Sequence, residues 1–217
     1  ERVSHKISDC LAASGSVALV SDAGTPLISD PGYRLVRAVQ DAGFSVHPVP
    51  GACAAIAALS ASGLATDRFL FEGFLPARAG PRQSRLAALS REKATLIFYE
   101  APHRVLESLQ ALAVAFGADR EAVIAREVTK TFETIKRSSL RGLVDFVAAD
   151  SNQRRGEIVL LVAGIRDEGS EVTGEIAALL QRLATELPAK TAAAIVAEHS
   201  GLRKKLLYDF LLQQKNN

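Results

Sequence analysis

Short β-rich runs alternate with amphipathic helical runs through the first three quarters of this chain, and that alternation is the strongest constraint on its fold. Val3, Ile7, Cys10 and Leu11 recur at helical spacing within residues 2–13. Residues 16–21 (SVALVS) read as a strand. A loop then leads into a helix over 31–42, with Tyr33, Leu35, Val36 and Val39 on its apolar face and Gly43 at its end. Residues 44–49 read as a second strand, and 51–62 as a small-residue helix ended by Gly63. This order implies parallel strands joined by crossover helices.

A third strand, 68–74, precedes a Pro/Gly/Arg-rich stretch over 75–85 that reads as a linker between domains. A second α/β unit follows. Strands are expected over 95–99, 122–126, 131–136 and 157–163, and helices over 102–116 and 139–149. Beyond Gly164 strand signals stop, and three helices are expected over 173–186, 189–199 and 202–212, broken by Pro188 and Gly201. The expected fold class is therefore α/β. Its parts are an α/β domain over 1–74, a second over 75–165 and a helical appendage over 170–217.

Composition narrows the function classes. The two cysteines, Cys10 and Cys53, form no CxxC pair, and the four histidines lack metal-ligand spacing, so a disulfide framework or a zinc site is not expected. The uncharged stretch 48–66 is interrupted by Pro50-Gly51 and is too short to span a bilayer. A soluble, cytoplasmic protein is expected. The net charge is only +2, so any nucleic-acid site must come from local patches.

Four segments carry candidate chemistry. The loop 21–32 (SDAGTPLISDPG) joins a predicted strand to a helix, where ligands bind in open parallel sheets. Its small residues admit a ligand to the backbone, and Asp22 and Asp30 suit hydroxyl or cation contacts. Asp30 reads equally as an N-cap ahead of Pro31. The turn 49–55 (VPGACAA) leaves room for a flat ligand or for a tightly packed helix. The run 98–104 (FYEAPHR) sets Glu100 and Arg104 at a strand end. There Glu100 can accept a proton or simply favour a helix N-terminus. The run 126–134 (REVTKTFET) mixes charges and hydroxyls, and a solvated hairpin accounts for it equally well.

Together VSDAGTPLISDPG, VPGACAA, FEGFLP, TLIFYEAPHR, REVTKTFET and RGEIVLLV resemble the ribosomal RNA small-subunit methyltransferase I family. Its members are cytidine 2'-O-methyltransferases of the tetrapyrrole methylase fold. The resemblance covers nearly the whole chain. Members normally begin with a further strand and a Pro-x-Gly-Asn loop, so the cofactor domain is expected to lack its first strand here. The resemblance implies two α/β domains, S-adenosylmethionine between them, a homodimer, and 16S ribosomal RNA of the small subunit as substrate. By position it assigns Asp22, Gly24, Thr25, Pro26 and Ile28 to the cofactor, with Pro50 and Ala52 nearby. Tyr99, Glu100, Ala101, Glu157 and Ile158 complete that set.

The implied chemistry is displacement of a sulfonium methyl by a ribose oxygen. Alignment of the partners contributes on the order of 7–11 kcal/mol in such reactions. Glu100, Glu133 and Asp22 are the candidate bases, and Lys130 is the candidate cation for a developing oxyanion. RNA contacts are expected from Arg78, Arg82, Arg85 and Arg104, and from Arg203 and Lys204 on the last helix. A tetrapyrrole methyltransferase and an inactive RNA-binding fragment remain the competing readings.

Overall fold

A β-rich run becomes a strand only when a neighbour satisfies its backbone N–H and C=O groups. The computed structural model describes residues 2–165, 172 and 174–215. In it, helices α1 (Arg2–Ala12), α2 (Tyr33–Asp41) and α3 (Ala54–Ser62) follow one another with no strand between them. The runs 16–21 and 44–49, expected as strands, find no ladder partner among the described residues. Val20 is 81% exposed and Val49 89%. The parallel pairing expected for this region falls with them.

Ladder formation begins at β1 (Phe69–Phe74). The expected linker that follows is instead partly helical, as α4 (Ala79–Leu89). Arg82, Leu86 and Leu89 fall on one face of it and are buried, which holds the helix despite Gly80 and Pro81 in its first turn. Next come β2 (Thr95–Glu100), α5 (Val105–Phe116), β3 (Glu121–Arg126), β4 (Thr134–Ser139), α6 (Leu140–Ala149), a 3-10 turn at Ser151–Arg154, and β5 (Ile158–Val162). Helix α5 begins three residues later than expected because 102–104 form a turn. The strand expected over 131–136 is displaced to β4, because residues 127–133 are used in a turn.

The five strands form one sheet in the order β1-β2-β5-β3-β4. Only β1 and β2 are parallel. The β2–β5, β5–β3 and β3–β4 pairs are antiparallel. The division expected at residue 75 thus lies between two strands of a single sheet. Both faces of that sheet are covered, which explains the continuous apolar runs of β2, β3 and β5. Leu86, Leu109 and Leu143 of α4, α5 and α6 pack on Leu96, Phe98 and Leu160. On the other face Ala55, Ala58 and Leu59 of α3 pack on Ile97, Val123 and Val159. Each fully buried Leu or Phe contributes about 1.5–3 kcal/mol.

The chain divides after Gly164 into two units. In the second, α7 (Gly174–Glu186), α8 (Ala189–Ser200) and α9 (Lys204–Lys215) enclose their own core of Leu180, Ala192, Ala193, Val196, Leu207 and Leu211. Gly201, at φ 72°, ends α8 in the left-handed region that glycine adopts without strain. Leu202 is buried ahead of α9, which therefore starts two residues later than expected. The expected helix start at Thr173 lies outside the described residues.

Candidate functional site

Successive residues of a strand face opposite sides of a sheet, so Tyr99 and Glu100 at the end of β2 do different work. Tyr99 faces α3. Its hydroxyl accepts a hydrogen bond from the Ala55 backbone N–H at 3.2 Å and lies 4.0 Å from the Cys53 sulfur. No side chain within α3's own N-cap satisfies that helix end, so Tyr99 supplies the acceptor. Burial pushes the Tyr99 pKa up, so the hydroxyl stays neutral.

Phe71 and Phe74 both meet Tyr99 edge-on, with ring centroids 4.9 and 5.8 Å away. Residues three apart in a regular strand face opposite sides. Here the register slips between Phe71 and Gly73, so a bulge brings the two rings together. Phe74 remains 54% exposed and leaves an open aromatic surface.

The loop 21–32 reaches this surface. Thr25 Oγ1 donates to the Ala52 carbonyl at 2.9 Å, tying the loop to the start of α3. Leu27 (φ 74°) and Ser29 (φ 57°) hold left-handed backbone that costs a non-glycine residue energy, as at ligand clamps. A methyl group on Gly73 would sit 3.1 Å from the Ser29 hydroxyl oxygen, and one on Gly24 would meet only the Ala52 carbonyl at 3.6 Å. The first contact is tight and the second leaves space. Asp22 and Ile28 are exposed, Pro26 is half-buried, and Pro50 is exposed beside α3.

The third component is the turn between β3 and β4. Lys130 Nζ donates to Glu127 Oε1 at 3.0 Å and to Glu157 Oε2 at 3.1 Å. Glu127 also accepts from the Glu157 N–H at 2.8 Å, which locks the turn to the start of β5. Hydrogen bonds from the Glu157 backbone and from Lys130 hold the Glu127 carboxyl below its ordinary range, while both carboxylates raise the Lys130 pKa. Glu133 accepts from the Thr129 N–H at 2.6 Å. Glu127 (φ 50°) and Thr129 (φ 66°) are again left-handed. Arg126, nearly buried, braces the turn by donating to the Phe132 carbonyl at 2.9 Å and to Gln153 Oε1 at 3.2 Å. Tyr99 pairs with Val159 and Glu100 with Ile158 across the β2–β5 ladder, so Glu157, next before Ile158, brings the turn beside the aromatic surface.

Other predicted residues sit elsewhere. Glu100 is 3% exposed, and its oxygens accept from the Ala101 N–H and the Ser108 hydroxyl. Its carboxylate lies 3.6 Å from Arg104 Nε, while Arg104 donates to the Leu75 and Pro76 carbonyls at 2.8 and 3.2 Å. This is a buried brace between β2, α5 and the chain after β1. Ile158 is buried on the α4–α6 face, opposite Tyr99. Arg82 is 3% exposed and paired with Glu107. Arg85 grips Glu72 through two hydrogen bonds, at 2.7 and 2.9 Å. Arg78 is exposed. Phe71, Phe74 and Ser108 are neighbours to which the sequence assigned no individual role, because a bulge turns the two rings to one face and the packing of α5 sets Ser108 against Glu100, whereas Arg126 and Glu127 lie in the 126–134 run already singled out. Among the described residues no cluster of His, Cys, Asp and Glu could hold a metal ion, and no helix is long and apolar enough to cross a membrane.

Residues 1–144 match the model of the tetrapyrrole (corrin/porphyrin) methylases. The ribosomal RNA small subunit methyltransferase I of Pseudomonas aeruginosa is 60% identical over 201 residues, 92% of this chain and 71% of that protein. The chain belongs to this methyltransferase family. The Vibrio cholerae protein of the same name is 52% identical over 94% of the chain and 72% of its own length. Residues 170–215 match the RsmI C-terminal HTH domain. Among solved structures, cobalt precorrin-4 methyltransferase aligns with TM-score 0.56 and 18% identity over 74% of this chain and 69% of its own. The uroporphyrin-III-C-methyltransferase of Thermus thermophilus aligns with TM-score 0.54 and 20% identity over 75% and 70%. At such identities these two likenesses report the fold alone. The chain is thus a methyltransferase of tetrapyrrole methylase fold with a helical C-terminal part.

Proposed function

We propose that the protein transfers a methyl group from S-adenosylmethionine to the 2'-oxygen of a cytidine ribose in 16S ribosomal RNA of the small ribosomal subunit. In this reading it works in the cytoplasm as a homodimer. The observation that carries the reading is the convergence of three segments around Tyr99 at the end of β2: the 21–32 loop through Ala52, the start of α3, and the Glu127–Lys130–Glu157 cluster between β3 and β5.

The residues suit the donor. The space over Gly24 admits a ligand to the backbone, and the exposed Phe74 edge offers an apolar surface for a flat ring. Gly24, Thr25, Pro26, Ala52 and Tyr99 would hold it, with Glu157 beside them. When bound, S-adenosylmethionine supplies an electrophilic methyl group, so the protein's task is chiefly alignment. Lys130, kept protonated by two carboxylates, suits a site where negative charge gathers on an attacking oxygen. Glu133 and Asp22 are the acceptors left near solvent, whereas Glu100 serves to hold the β2 end in place.

The test is transfer of radiolabelled methyl to small ribosomal subunits from a strain lacking this activity. A ribose methyl resistant to alkaline cleavage supports the assignment. No label in RNA, with label in a tetrapyrrole acceptor, overturns it in favour of a small-molecule substrate.

A further inference from the structure

The cations named so far in the larger unit are mostly committed internally. Arg82, Arg85, Arg104 and Lys130 each hold carboxylates or backbone carbonyls. Arg203, Lys204 and Lys205 are different. All three are exposed, and among the described residues they make no ion pair and no side-chain hydrogen bond. Glu198 on α8 and Asp209 on α9, the acidic residues nearest in sequence, pair with none of the three.

Their position is unfavourable for folding. Three adjacent positive charges repel one another. Lys204 and Lys205 lie in the first turn of α9, which holds no acidic residue, and Arg203 immediately precedes it, where the helix dipole also opposes them. The apolar side of the same segment is fixed inward, with Leu202, Leu207 and Leu211 buried in the unit's core. The cations therefore stay at the surface, clustered around the start of α9. A local arrangement that works against folding, with no internal partner, is expected at a functional surface.

The ligand class follows from charge and motif. A three-residue, glycine-containing turn, Gly201 to Arg203, joins α8 and α9, as in a helix-turn-helix, and residues 170–215 match a domain of that description. In that motif the second helix is the one offered to nucleic acid. We infer that Arg203, Lys204 and Lys205 form the surface by which the protein grips phosphates of its RNA substrate, an inference that rests on the proposed ribosomal RNA methylation. The aromatic residues of α9, Tyr208 and Phe210, pack against the core, so no ring is offered for base stacking at this cluster. The contact is therefore electrostatic and independent of sequence, supplying affinity and orientation rather than the choice of nucleotide.

The experiment uses the full chain and protein-free 16S ribosomal RNA, with binding read by anisotropy between 50 and 200 mM salt. The combined variant R203Q, K204Q and K205Q is compared with wild type, with K204Q alone, and with R182Q, which removes a paired cation of the same unit. Calorimetric binding of S-adenosylmethionine and circular dichroism are recorded for each. We expect the triple variant to bind RNA at least about tenfold more weakly, with a log–log salt slope shallower by about 2, since each phosphate contact to a single strand contributes about 0.7. K204Q should lose about one third of that slope change, and R182Q none. Donor binding and helix content should be unchanged. Equal affinity and slope in the triple variant and wild type would overturn the inference while leaving the methylation reading standing. Wild type that binds the donor but no 16S RNA, free or within small ribosomal subunits, would overturn both.

Discussion

The Tyr99 hydroxyl accepts the backbone N–H of Ala55 at 3.2 Å, so the end of the second strand completes the start of the third helix. That one bond joins the sheet to the turn that the 21–32 loop also grips through Thr25 and Ala52. Tyr99→Phe keeps the ring and removes the acceptor. Stability should fall by about 1 kcal/mol, the usual value of a net hydrogen bond, and donor affinity should fall with it. Urea unfolding and calorimetry of S-adenosylmethionine binding check this. An unchanged donor affinity would remove the Ala55 link from the site.

Glu100 and Arg104 form a buried brace, so removing one partner strands the other. Glu100→Ala should destabilise the protein by about 3 kcal/mol. Ser108→Ala should cost about 1–2 kcal/mol, because a buried carboxylate oxygen loses its donor. Because this brace is structural, methyl transfer per folded molecule should survive in Ser108→Ala. Denaturant titration beside activity corrected for folded fraction separates this from a catalytic role, which would lower turnover in fully folded protein.

The Lys130 clamp sets a pH window. The Lys130 pKa is raised by Glu127 and Glu157, so its contribution is present below the ordinary lysine range and is lost as pH rises through the elevated value. The Glu127 pKa is lowered, so its contribution is present above the ordinary carboxylate range and is lost as pH falls through the depressed value. The 127–133 turn should therefore be held across the neutral range and loosen at both extremes. Hydrogen exchange at the Lys130 and Glu133 amides, which donate to the Glu127 and Lys130 carbonyls, reads this directly. Lys130→Met should abolish the alkaline limb.

Gly156 precedes β5 at φ 76°, and a Cβ there would collide with the Glu127 side chain. Gly156→Ala combines left-handed strain of about 1–2 kcal/mol with displacement of the carboxylate that holds Lys130. Thermal unfolding should register the first effect. A loss of methyl transfer beyond the stability change should register the second, and Gly43→Ala, with φ 84° and nothing within 4 Å, supplies the strain-only reference.

Much of this was legible in the chain itself. Helical spacing located α2, α5 and the three C-terminal helices to within a few residues, because their apolar faces repeat locally and Gly or Pro marks their ends. The motif runs identified the methylase family and the loops that meet at Tyr99. What escaped the sequence depended on distant partners. Residues 16–21 and 44–49 carry strand composition, yet composition provides no ladder, and no neighbouring strand reaches them among the described residues. Arg82 read as a surface cation until Leu86 and Leu89 drew its helix onto the sheet. Phe71 and Phe74 share a face only because of a bulge, and Glu100 became a buried brace once Ser108 and Arg104 folded over it. Local periodicity is written into consecutive residues and can be read from them. Pairing, burial and the fate of a charge are properties of whatever packs against a residue, and those only the tertiary structure decided.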